Sequence, residues 1–87
     1  MLTLNDCIEY SELTEEEIEA IAEHEHLPFI VAAEMGSTLL GSEQGIRCIQ
    51  RFIREDIQHA KACGMQQKAT DLRRVYRHFA KAHPLPH

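Results

Sequence analysis

From residue 15 almost to the end of the chain the apolar positions recur at helical spacing, in four runs separated by capping residues and prolines. Thr14 followed by Glu17 forms a capping box, and Glu15, Glu16 and Glu17 put negative charge in a first turn where the helix dipole favours it. A helix over 15–26 follows, stopped by Pro28 because the residue before a proline avoids helical geometry. Pro28 suits the first position of the next helix, 28–40. Gly41 and Ser42 read as a glycine C-cap followed at once by a new N-cap. The third run, 43–63, carries Ile46, Ile49, Phe52, Ile53, Ile57, Ala60 and Cys63 on one stripe before Gly64 ends it. The fourth, 66–83, repeats the pattern with Ala69, Leu72, Tyr76, Phe79 and Ala80 until Pro84 forbids continuation. Thr3 with Asp6 resembles a further box, which predicts a short helix over 4–10 anchored by Ile8.

The predicted fold is therefore all-α. It is a single domain over 1–87, a small bundle of four main helices plus a short N-terminal one, with a frayed tail at 84–87. The runs 43–63 and 66–83 are similar in length and separated by about two residues, so an antiparallel hairpin is expected, packed against the two helices before it.

The helix over 28–40 breaks the one-stripe rule. Phe29, Ile30, Val31, Met35, Leu39 and Leu40 surround it, a pattern that implies burial on several sides. Ala32 and Gly36 add a strip of small residues where a second helix can approach. The expectation is a central helix or a homodimer contact, with Phe29, Ala32, Met35, Gly36 and Leu39 as interaction residues.

Composition narrows the class. At 44% apolar and 26% charged residues the chain is ordinary globular material. Its longest strong apolar run, 29–33, is far below the roughly 18 to 20 residues needed to span a bilayer. No basic, apolar-cored leader follows Met1, which points to a cytoplasmic protein without membrane partners. Cys7, Cys48 and Cys63 form no C-x-x-C pair, so reduced thiols are expected, Cys63 on an apolar face and Cys48 away from one. The net charge of -5 conceals a division: residues 1–46 hold eleven acids and no Lys or Arg, whereas residues 47–87 hold nine Lys or Arg and three acids. Such halves attract each other within a chain or between copies.

Three polar residues fall inside apolar stripes: Glu25, Asp56 and His83. A buried charge needs a partner. Asp56 has Tyr76 or His83 within expected reach across the hairpin, and Glu25 or His26 can cap the start of the next helix. Glu23 with His26, and Asp56 with His59, have the carboxylate-x-x-His spacing of di-metal helical bundles. His24 and His26 lie about 200° apart on a helix and share an ion only where the helix has unwound. His24, His26, Asp56, His59 and His83 are the candidate ligands for a divalent metal ion, with no other cofactor expected. Arg47, Arg51, Arg54 and Lys61 share one side of their helix, and Arg74, Arg77 and Lys81 share one side of theirs. Solvated faces account for both most simply, and a nucleic-acid partner is disfavoured by the negative total charge and the lack of a helix-turn-helix. No serine or cysteine has a base beside it, so no catalytic residue is assigned and an enzyme is the less favoured class.

The stretch Ala22 to Pro28 (A-E-H-E-H-L-P), then Ala32-Ala33-Glu34-Met35-Gly36, and finally Arg77-His78-Phe79 with His83-Pro84, resembles a group of small bacterial helical proteins of similar length. The resemblance implies a shared scaffold and supplies no activity. The leading expectation is a non-enzymatic, homodimeric protein-interaction or regulatory module. The alternative is a metal-binding protein with a His/carboxylate site at the joint near Pro28, and a further alternative is a nucleic-acid accessory using the basic faces.

Overall fold

The computed structural model describes residues 13–85, and all regular structure within them is helical. The helices are α1 (Glu15–Glu25), α2 (Phe29–Leu39), α3 (Glu43–Ala62) and α4 (Gln66–Ala82). The helix expected over 4–10 and the final residues of the tail lie outside the described residues.

Each helix end has a local cause. Thr14 Oγ1 accepts from the Glu17 amide at 3.2 Å, and the Thr14 amide donates to Glu17 Oε1 at 2.8 Å, which completes the capping box of α1. At the other end His26 takes a left-handed conformation with φ 56°, and the His26 and Leu27 amides both turn back to the Ala22 carbonyl. Pro28 then opens α2 without any side-chain cap, so neither Glu25 nor His26 caps that helix. Ser42 Oγ accepts from the Gly45 amide at 3.0 Å to begin α3. Between α3 and α4, Gly64 at φ 75° closes a Schellman turn in which the Met65 amide donates to Ala60 and the Gly64 amide to Lys61.

The core is built from Ile18, Ala20 and Ile21 of α1, Ala32 and Ala33 of α2, Ile49, Phe52, Ile53 and Ala60 of α3, and Ala69, Leu72, Val75 and Phe79 of α4, with Leu13 ahead of them. α3 and α4 form the expected hairpin, and α3 also packs on α1 and α2. The central helix is therefore α3 and not α2. An additional buried group is Glu17, only 1% exposed, whose Oε2 lies 3.1 Å from His78 Nδ1 of α4.

Two sequence expectations change here. α2 is covered along one side only: Ala32, Ala33 and Gly36 are buried, Phe29, Met35 and Leu39 are half-buried, and Ile30 and Val31 stand 44% and 41% exposed. The Ala32/Gly36 strip serves contacts inside the chain, since a Cβ on Gly36 would meet the side chains of Leu13 and Ile21. Cys63 is exposed, because the backbone has already left the helix there, and Cys48 is half-buried.

At the α2–α3 junction Gly45 lets the backbone of α3 come close to that of α2. A Cβ on Gly45 would stand 1.8 Å from the Leu39 carbonyl oxygen and 2.5 Å from its carbon, atoms that cannot move without displacing α2. Alanine normally stabilises a helix interior by about 1 kcal/mol over glycine. Gly45→Ala is expected to reverse that sign and cost about 2 to 3 kcal/mol by denaturant unfolding, whereas Gly36→Ala, facing side-chain ends, costs less. Equal and small effects at both positions would contradict the junction as described.

Candidate functional site

A cleft of about 450 Å³ opens where the last turn of α1 crosses the C-terminal half of α3 and the start of α4. Ala22 and Ala60 line its small-residue part, Glu23, His24 and His26 come from α1 and its cap, Glu55, Asp56 and His59 from α3, and Met65 and Lys68 from the start of α4. Four of the five sequence-predicted ligands, His24, His26, Asp56 and His59, thus line one cavity. The fifth, His83, is elsewhere: its ring lies against Phe79 at 4.8 Å between centroids, and it does not meet Asp56.

His24 is held on three sides. Its ring stacks on Phe52 with centroids 4.3 Å apart and planes 23° from parallel, and its Nε2 lies 2.6 Å from Glu55 Oε1. Nε2 therefore donates to the carboxylate, and Nδ1 is left with no hydrogen-bond partner from the protein, 3.4 Å from Glu25 Oε2. Asp56 Oδ2 is the second buried atom of the cleft without a protein partner. Burial pushes the Asp56 carboxyl up to about 6, with the Glu23 charge adding to the rise and His24, Lys68 and His59 opposing it. His59 is exposed, its Nε2 3.7 Å from the Cys63 thiol. An ion pair between Glu23 and Lys68 ties α1 to α4 along the rim. His26 is exposed at the mouth, and its left-handed backbone is the unwinding that lets it share a cavity with His24.

Glu25 is half-buried beside His24, at the stripe's edge and not in the core. The participants that sequence reasoning missed are Glu55, Lys68 and Met65. Glu55 does stand four residues before His59, a same-face spacing, but its partner His24 is 31 residues away and only the tertiary fold brings them together.

No protein-family model, curated protein or solved structure matches this chain. The geometry of the cleft carries the functional argument.

Among the described residues no three His, Cys, Asp or Glu side chains form a ready metal shell. What the cleft offers is a pair of unpartnered buried acceptors, an imidazole nitrogen and a carboxylate oxygen, where three carboxylates face one ammonium.

The Asp56 carboxyl also sets a pH dependence. Its folded value of about 6 lies above the ordinary 3.8, so the fold favours the protonated form. The stability it contributes is full below the unfolded value and is lost as pH rises through the folded one. Asp56→Asn is therefore expected to match the parent near pH 4, to gain on it up to about pH 6, and to stay ahead by a constant margin above that. Denaturant midpoints across this range check the sign; a parent more stable than the variant at neutral pH would contradict it.

Proposed function

We propose that the protein is a non-enzymatic binding module whose ligand site is the cleft between α1 and α3, and that its ligand is a divalent cation. The observation that carries this reading is the coincidence of His24 Nδ1 and Asp56 Oδ2, both buried and both without a hydrogen bond from the protein, in one acid-rich cavity where Glu25 Oε2 lies 3.4 Å from the imidazole nitrogen. Native proteins pair nearly all buried polar atoms, so two orphans in one cavity point to a ligand. Imidazole and carboxylate donors together suit Mn²⁺, Zn²⁺ or Ni²⁺. Two protein donors leave the remaining positions to water, which makes the ion exchangeable, and His59 can join by turning away from Cys63.

Isothermal titration of the untagged chain with Mn²⁺ and Zn²⁺ is expected to give about one ion per chain. Asp56→Asn and His24→Gln each abolish the saturable heat, and Glu19→Gln, on the exposed outer surface of α1, leaves it unchanged. Saturable binding that survives both cleft substitutions would refute the reading.

A second reading rests on a separate observation. Ile30 and Val31 are adjacent and exposed on the outer face of α2, where Phe29 and Met35 are also half-open. Self-association through this face makes the module a homodimer. Sedimentation at about 100 µM, some 100-fold above a micromolar dissociation constant, is expected to show a dimer that Val31→Lys converts to monomer. A monomeric parent at that concentration would remove this reading and leave the cleft reading intact.

A further inference from the structure

Among the described residues, the acidic and basic halves of the sequence pair along one edge. Glu16 pairs with Arg74 at 3.1 Å, Glu17 with His78 at 3.1 Å, and Glu23 with Lys68, and all three connections join α1 to one side of α4. The other cations are left over. Arg47, Arg54 and Lys61 follow one another at seven-residue steps on α3, and Arg73, Arg77 and Lys81 at four-residue steps on α4. Both steps keep side chains on one face of a helix. All six are exposed, and none has a hydrogen-bond or ion-pair partner among the described residues.

The two stripes belong to one surface. Lys61 and Arg73 line a common groove of about 300 Å³ at the α3–α4 seam, with Gln66 and Thr70 beside them, and the hairpin runs the stripes past each other in opposite directions. From Arg47 to Lys61 the α3 stripe extends about 21 Å at 1.5 Å per residue. Of the acids of α3 and α4, Glu55 and Asp56 line the cleft and Asp71 accepts from Gln67, while Glu43 stands one turn before Arg47 at the N-terminal end of the α3 stripe. A sequence reading that groups Arg74 with Arg77 and Lys81 is corrected here, since Arg74 sits on the paired edge and Arg73 takes its place at the seam.

We infer that the outer face of the α3–α4 hairpin binds the phosphate backbone of double-stranded nucleic acid, without sequence preference. Four of the six cations are arginines, whose planar guanidinium matches phosphate oxygens in a two-point contact. Neither stripe carries an aromatic side chain, so the base-stacking platform that single strands require is missing from it. Contacts to phosphates position a protein on the duplex without specifying sequence. This site lies on α3 and α4 away from the cleft residues, so it stands or falls independently of cation binding there.

The test is fluorescence anisotropy of the full chain with a labelled duplex of about 24 base pairs. With about five phosphates engaged, affinity is expected to fall roughly 500-fold between about 50 and about 200 mM salt. The double variant Arg54→Glu/Arg77→Glu, both positions exposed, is expected to weaken binding at low salt by about 30-fold or more, while Arg74→Glu on the paired edge changes it by less than about 3-fold. Circular dichroism confirms that each variant keeps its helices. No binding at about 50 mM salt would overturn the inference, as would equal losses for Arg74→Glu and the double variant. A polyglutamate peptide of matched charge that competes as well as the duplex would assign the face to an acidic protein instead. Salt-sensitive self-association without nucleic acid would assign it to the acidic surface of a second copy.

Discussion

The packing of α1 across α3 is the constraint on which the rest of the molecule depends. Ile18 and Ile21 meet Ile49, Phe52 and Ile53 in a fully dry seam, and burying such side chains is worth about 1.5 to 3 kcal/mol each. The seam ends where the residues become small. Ala22 and Ala60 do not fill the space between the diverging helices, so a cleft opens at the place where α1 unwinds at His26. His24 is the last ring of the seam: its face continues the apolar stack on Phe52, and its nitrogens face Glu55 and the cavity. One packing arrangement thus supplies both the stability of the bundle and the polar cavity beside it.

Electrostatics divides the surface around that seam. Across the α1–α4 edge the pairs Glu16–Arg74 and Glu23–Lys68 are solvent-accessible, screened and individually worth little. Asp56 is a different case. Keeping a carboxylate half-buried and short of partners costs stability near neutral pH, and an apolar or amide side chain there would avoid that cost. Glu17 shows the contrast: more deeply buried, it is satisfied by the Thr14 amide and His78 and needs no ligand.

Much of the architecture was legible because it is local. Thr14, Pro28, Ser42 and Gly64 each act within four residues, and the helical period of Ile49, Phe52, Ile53 and Ala60 identifies the central stripe without tertiary information. The all-helical class and its four helices follow from these. For α2 all-round apolarity allows two outcomes, a central helix or a face left for a second copy; the pattern alone does not distinguish them, and the fold removes the first by making α3 central. Of the candidate site, the residue types were legible and the meeting was not. His24 and His26 look incompatible on an ideal helix, and only the left-handed turn at His26 brings them to one cavity. His83 is interior by register and its Nε2 is indeed buried without a hydrogen-bond partner, but its helix ends at Ala82, and the ring lies against Phe79 and not in the cleft with Asp56. Separations such as that between His24 and Glu55 are set by how helices cross, which no short-range pattern encodes.

The most direct measurement is anomalous diffraction from crystals of the untagged chain equilibrated with Mn²⁺. One anomalous peak per chain is expected inside the cleft, within coordination distance of both His24 Nδ1 and Asp56 Oδ2. A cleft without such a peak, with manganese only on the outer acids of α1, would contradict it.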